Sequence, residues 1–295
     1  MTEIEKVGVL GCGIMGHGIT QLAAEAGYQV IVREVNEEKL AKGIGNIEKQ
    51  LARAVERGKA TQEHADATRA RINGTVHYHE LSDSDLVIEA ITEDLNLKLD
   101  MWGVVDEVAK ADAFFASNTS SLPVIVQAAH TTRPDRFLGL HFFNPAQVMP
   151  LLEVVKCVTT SDQALSVGIE FGERIGKMVV HVKDRAGFIV NRLLVPFLLD
   201  SIRAFEQGLA PIGQIDTALK AGAGHPMGPL TLADFVGLDT LGAICDVMFD
   251  EFREPRFAPP PTLRKMLAAG WYGRKSGMGF YDYSGPEPVE NPGLA

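Results

Sequence analysis

The sequence predicts a two-domain α/β chain: an N-terminal doubly wound, largely parallel sheet with a helical arm, then an all-helical C-terminal domain. Three observations carry this. Short apolar β-type runs alternate with helix-length segments as far as residue 182, strand signals then give way to long apolar-periodic segments, and 295 residues is about twice a typical single domain.

Residues 7–10 are a short β-type run, followed by glycines and a helical pattern over 14–26 that Gly27 stops. A second strand is expected at 29–33. Asn36 is placed to cap a long charged helix toward Gly58, and a second piece over 61–71 ends at the turn pair Asn73-Gly74, so that an arm of about 36–72 interrupts the sheet. Further strands are expected at 86–89, 113–116, 137–141, 151–155 and 178–182. The charged break Lys183-Asp184-Arg185 marks the boundary, giving domains 1–184 and 185–295. Helices are expected near 187–208, 212–221 and 229–252, the run Pro259-Pro260-Pro261 reads as a turn, and about 284–295 reads as a loose tail.

With 28 basic and 38 acidic residues the chain carries a net charge of −10, which argues against a general nucleic-acid binder. The strongly apolar stretch 186–199 is broken by Asn191, Arg192 and Pro196, short of the roughly 20 residues that span a bilayer, so no membrane partner is expected. The acidic N-terminus lacks signal-peptide features. Cys12, Cys157 and Cys245 are odd in number and widely spaced, fitting neither a disulfide framework nor a metal site; a reducing, cytoplasmic location is expected.

Gly11-Cys-Gly13-Ile14-Met15-Gly16 has the G-x-G-x-x-G spacing between a predicted strand and a predicted helix. Its first glycine makes the turn, its second admits a pyrophosphate and its third packs helix on strand, with the phosphate at the helix N-terminus. Glu34, 23 residues after Gly11 at the end of the second strand, can accept both ribose hydroxyls. This is a Rossmann-type dinucleotide site. A carboxylate there repels a 2′-phosphate, so NAD is favoured over NADP, although Arg33 beside it counts in the other direction.

Polar residues interrupt later strand ends in Ser117-Asn-Thr-Ser120-Ser, Leu140-His141-Phe-Phe-Asn144-Pro145 and Leu151-Leu-Glu153. Strand carboxyl ends in open α/β sheets face the ligand crevice. His141 is the natural acid/base. An antiparallel hairpin about Gln147 sets it opposite Glu153, with Cβ atoms roughly 5 Å apart, where a carboxylate fixes the imidazole tautomer and supports its protonated form. Ser120 could equally cap the helix near Pro123. Asn191, inside an apolar helical face, needs partners: a helix-to-helix bond or a substrate contact.

Together Gly11-x-Gly13-x-x-Gly16, Ser117-Asn-Thr-Ser-Ser, His141-Phe-Phe-Asn-Pro145, Gly187-Phe-Ile-Val-Asn-Arg192, Gly224-His-Pro-Met-Gly-Pro229 and Gly273-Arg-Lys-Ser-Gly277 resemble the L-3-hydroxyacyl-CoA dehydrogenase family, most nearly its short-chain 3-hydroxybutyryl-CoA branch, over about residues 5–283. The resemblance implies a Rossmann domain, a helical domain that forms a homodimer, an acyl-CoA substrate and NAD-dependent oxidation of an L-3-hydroxyacyl-CoA. It implies His141 as general base, Glu153 as its orienting carboxylate, Ser120 and Asn191 as holders of substrate oxygens, and Glu34 as ribose acceptor. Glu93, Lys98, Asn118, Asn144 and Lys275 fall on cofactor-side positions. Two departures bear on acyl-CoA contact: Pro150 where relatives commonly carry Lys, and Gln50 where some carry Ser. Between residues 42 and 71 stand seven basic and four acidic residues, against the global sign. Lys49, Arg53 and Arg57 form one helical stripe; the resemblance makes this arm, with Arg53 and Arg57, a site for CoA phosphates, while a solvated charged face is the alternative. A dehydrogenase of free 3-hydroxy acids and a catalytically silent NAD-binding protein remain as rival readings.

Overall fold

The structure, a computed structural model, describes residues 4–294 and divides into two compact units between Arg185 and Ala186.

The first unit is built on β1 (Lys6–Leu10), whose Val7, Val9 and Leu10 are fully buried. Helix α1 (Gly16–Glu25) returns the chain to β2 (Gln29–Arg33), which pairs in parallel with β1. Then comes the arm, α2 (Glu37–Glu56) and α3 (Gln62–Ala70). Asn36 caps α2 by accepting from the Lys39 amide at 2.9 Å, and Leu40, Gly43, Ile47 and Leu51 form its buried stripe. Asn73-Gly74, expected as a turn, lies instead within β3 (Ile72–Thr75), a parallel edge strand beside β2. The turn signal was overridden by ladder pairing, and Gly74 is where the chain passes Leu40 of α2 closely.

Strands β4 (Leu86–Glu89) and β5 (Phe114–Ser117) follow on either side of α4 (Leu95–Val108); α5 (Val124–Ala129) leads to β6 (Phe137–Phe142). β7 (Leu151–Lys156) turns back antiparallel to β6, and after α6 (Asp162–Arg174), β8 (Met178–Lys183) runs parallel to β7. The strand order β3-β2-β1-β4-β5-β6-β7-β8 places the connection reversal between β1 and β4, so the ligand crevice opens at their carboxyl ends.

The second unit contains α7 (Val190–Glu206), α8 (Ile212–Ala223), α9 (Pro229–Val236) and α10 (Leu238–Phe252), packed around Leu198, Ile202, Leu230, Leu241 and Met248. Gly237, at φ 96°, splits the single helix expected over 229–252. The proline run is not a plain turn, since Pro261 opens α11 (Pro261–Ala268). Nor is the unit purely helical or its tail loose: β9 (Tyr281–Asp282) pairs with β10 (Val289–Glu290), and Asn291, 3% exposed, donates to the Gly279 carbonyl at 2.7 Å. Such anchoring by individual polar bonds leaves no periodic signal in a sequence. Buried Asp234 holds the same segment by accepting from the Phe280 and Tyr281 amides at 2.9 Å; burial pushes its carboxyl up to about 6, against those bonds and one from Tyr283.

Candidate active site

The glycine loop leaves β1 at Gly11, whose φ of 92° requires a residue without Cβ. A Cβ on Gly16 would stand 1.8 Å from the Gly11 carbonyl oxygen, so Gly16 lets α1 close on the strand. Gly13 differs. A Cβ there would meet nothing within 4 Å, so the protein itself does not demand glycine; a ligand pressed against that backbone would. Gly11, Gly13, Ile14 and Met15 line a cleft of about 550 Å³ together with Glu34, Lys42, Asn118 and the 90–92 segment. Glu34 is locked by two backbone donors, the Cys12 amide at 2.8 Å and the Val35 amide at 2.9 Å. Arg33 lies over the Tyr78 ring at 3.9 Å and its Nε donates to the Val76 carbonyl, so it is engaged away from Glu34. The cleft therefore fits a dinucleotide whose ribose meets an unneutralised carboxylate. Burial, and Glu34 after it, push the Cys12 thiol up to about 12, so it stays protonated.

His141 and Glu153 are register partners on β6 and β7. Their side chains meet, Nδ1 to Oε2 at 2.7 Å, and both residues are buried at 4% and 0% exposure. A carboxylate only accepts, so Nδ1 carries the proton and Nε2 of the neutral ring is the acceptor. Asn118 secures this strand end from the next one, its Oδ1 accepting from the Phe142 amide at 2.9 Å.

Between dyad and cleft lies a charged network that sequence reasoning missed as a unit. Lys98, 1% exposed, donates to Glu89 at 2.5 Å and to Glu93 at 3.0 Å. Glu89 also accepts from Ser117 Oγ at 2.6 Å, and Glu93 from Thr119 Oγ1 at 2.6 Å and from the Ser120 amide at 2.9 Å. Burial alone would raise Glu93, but the Lys98 ammonium and these donors outweigh it and hold its carboxyl below the usual range. Glu93, held by Lys98, thus ties the loop after β4 to the loop after β5, and Lys98, paired twice and buried, presents no free ammonium to the cleft. Glu89 closing an apolar strand, nine residues before a lysine, was the available signal. Ser120 is half-buried, with its Oγ 3.4 Å from Glu93. Asn144 is exposed in the β6–β7 loop. In the second unit, Asn191 lies in the first turn of α7, and Lys275 pairs with Asp239 at 2.5 Å. Arg53 and Arg57 are exposed at the outer end of α2; there Glu48 pairs with Arg69 at 2.8 Å.

A glycine loop at the switch point of a doubly wound sheet, a locked ribose carboxylate and a carboxylate-held histidine near the carboxyl end of β6 define an NAD-dependent dehydrogenase. Two family models cover nearly the whole chain: the 3-hydroxyacyl-CoA dehydrogenase NAD-binding domain over residues 6–185 and the C-terminal domain of the same family over 187–283. The chain belongs to the 3-hydroxyacyl-CoA dehydrogenase family, and it is an enzyme with NAD as cofactor. It is 48% identical over 282 residues to a 3-hydroxybutyryl-CoA dehydrogenase of Mycobacterium tuberculosis, covering 95% of this chain and 99% of that protein. It is 43% identical to a mitochondrial hydroxyacyl-coenzyme A dehydrogenase of Sus scrofa, over 95% of this chain and 91% of the other. The crystal structure of (S)-3-hydroxybutyryl-CoA dehydrogenase from Ralstonia eutropha superposes with a TM-score of 0.94 at 39% identity, covering 96% of this chain and all of that one. Among the described residues no helix is long and apolar enough to cross a membrane.

Proposed function

We propose that the protein oxidises a short-chain L-3-hydroxyacyl-CoA of the 3-hydroxybutyryl-CoA type to the 3-ketoacyl-CoA, and catalyses the reverse reduction. The observation that carries this reading is the buried 2.7 Å contact between His141 Nδ1 and Glu153 Oε2. His141 Nε2 takes the substrate hydroxyl proton in the oxidation and returns it in the reduction. Glu153 holds the ring by Nδ1–H and stabilises the imidazolium formed in between. Bound NAD would supply the acceptor for the hydride that leaves C3. Ser120 and Asn191 hold the substrate oxygen at C3, a role supported by Ser120's place on the loop that Glu93 fixes.

Gly11, Gly13, Ile14, Met15, Gly16, Glu34, Asn118, Asn144 and Lys275 serve the cofactor side directly, with Glu93 and Lys98 holding the loops beneath it. Glu34 sets NAD above NADP. Arg53 and Arg57 meet the CoA phosphates. The helical unit forms a homodimer, which exposed Leu193, Leu209 and Phe235 support. A cytoplasmic location is supported by three buried cysteines that are all free.

Purified protein given NAD and L-3-hydroxyacyl-CoAs of increasing length should produce NADH with highest kcat/KM at the four-carbon substrate. Turnover of free 3-hydroxybutyrate but of no thioester would transfer the reading to a hydroxy-acid dehydrogenase; NAD binding without any turnover would leave a silent binding protein.

A further inference from the structure

Gln50 stands beside Leu51, the last buried residue of α2, a turn before part-buried Val55 makes the helix's last packing on the core of the first unit. The stripe Leu40, Gly43, Ile47 and Leu51 is buried, whereas Arg53, Glu56 and Arg57 beyond it are exposed. At that point Gln50 Nε2 lies 2.8 Å from His17 Nε2, Gln147 Nε2 donates to Gln50 Oε1, and Gln147 Nε2 lies 3.5 Å from the same ring nitrogen. His17 Nδ1 is 2.6 Å from the Gly13 carbonyl oxygen. A carbonyl only accepts, so the neutral ring carries its proton on Nδ1 and offers Nε2 to the Gln50 amide. Three stretches far apart in sequence are joined in this way: the glycine loop with α1, the arm helix, and the β6–β7 loop.

The β6–β7 loop is fixed independently. Lys177, 9% exposed, donates its ammonium protons to the carbonyls of Ala146 at 2.6 Å and Met149 at 2.7 Å. Burial pushes its pKa down, with Glu25 acting against that. The Val148 and Met149 amides both bond the Pro145 carbonyl at 3.0 Å. α1 also makes room for the amide, since a Cβ on Gly18 would stand 2.5 Å from Gln147 Oε1. Gln147 therefore projects from an anchored loop, and the arm is the element being held.

We propose that His17, Gln50 and Gln147 form a latch that positions the outer end of α2, and so the stripe of Arg53 and Arg57, for the CoA part of the substrate. This rests on the CoA role given to that stripe above. All three are positioning residues: none is assigned a contact with the reacting atoms.

The test uses Q50A, Q147A and the double variant of the full chain. At 0.01 M salt, where the arginine stripe counts most, the acyl-CoA KM should rise about threefold to tenfold in Q50A and the double variant and less in Q147A, while kcat and the NAD KM stay within about twofold. Amide hydrogen exchange over residues 47–57 should quicken. The double variant should match Q50A, because Q50A already removes both of the arm's links, to His17 and to Gln147, whereas Q147A leaves the Gln50–His17 bond. Unchanged exchange, or an unchanged acyl-CoA KM in the double variant, overturns the latch. If exchange and KM respond to latch variants yet reversing Arg53 and Arg57 leaves KM unmoved, the latch stands and the stripe's CoA role falls.

Discussion

His141 and Glu153 sit on paired strands of the central sheet, out of water and 2.7 Å apart, whereas Arg53 and Arg57 stand in solvent at the far end of a helix held to the same unit by an apolar stripe and a few side-chain links. The backbone ladder fixes the first pair, because register dictates that residue 141 faces residue 153. An interaction there is weakly screened, and losing one member leaves the other buried. The second pair has neither advantage: exposed charges each contribute little and respond to salt. Chemistry is placed on rigid, dry elements, and recognition of a large charged group is left to an adaptable, wet one.

The largest effect expected from this contrast is at the dyad. Glu153→Gln keeps a side chain able to hold the ring but removes the charge that supports the imidazolium, so kcat should fall by about 10²–10⁴. NAD affinity, measured by titration, should be unchanged. His141→Ala should abolish turnover. A Glu153→Gln protein with normal kcat at saturating substrates would remove the dyad from the mechanism and leave the contrast without its first half.

A stability experiment sharpens the same contrast. Lys98→Met leaves Glu89, fully buried, without its ammonium partner, and breaking a buried pair in this way costs about 3–5 kcal/mol. Half-buried Lys6, at the start of β1, pairs with exposed Asp83, and Lys6→Ala should cost under about 1 kcal/mol. Urea unfolding followed by circular dichroism compares the two directly. Equal losses would mean that burial does not decide what an ion pair contributes in this protein.

How much of this was legible in the sequence follows the same division. Short-range signals and register were sufficient for the dyad: an antiparallel return about Gln147 is a statement about strand pairing, and it put His141 opposite Glu153. The glycine loop with Glu34 was legible because Gly11 and Gly16 answer backbone demands that spacing reveals, with Gly13 between them left open for a ligand. The Glu89–Lys98–Glu93 network was not, since its members come from one strand end, one helix and one loop, and only the fold brings them together. β3 was hidden by an Asn-Gly pair that normally signals a turn, and the ordered tail by anchors that are single hydrogen bonds such as Asn291 to Gly279. His17, Gln50 and Gln147 are likewise ordinary polar residues until three elements converge.

The smallest effect expected at physiological salt is at the basic stripe, and salt itself is the lever. Among the described residues neither Arg53 nor Arg57 is in an ion pair, and nearby Glu48 pairs with Arg69 instead. Their charges are therefore available to a polyanion, but through water. Two unit charges about 4 Å apart interact by roughly 1 kcal/mol in bulk water, and reversing both arginines to Glu replaces attraction by repulsion at each contact. With a Debye length of about 30 Å at 0.01 M and about 8 Å at 0.15 M, the acyl-CoA KM of the reversed protein should rise tenfold or more, as an order of magnitude, at the lower salt and about two- to threefold at the higher. The kcat at saturation and the NAD KM should not move, because the dyad and the glycine loop are untouched. Steady-state kinetics of both proteins at the two salt concentrations decide the matter. An acyl-CoA KM identical to that of the unaltered chain at 0.01 M would make the stripe a solvated helix face and place CoA recognition elsewhere on the molecule.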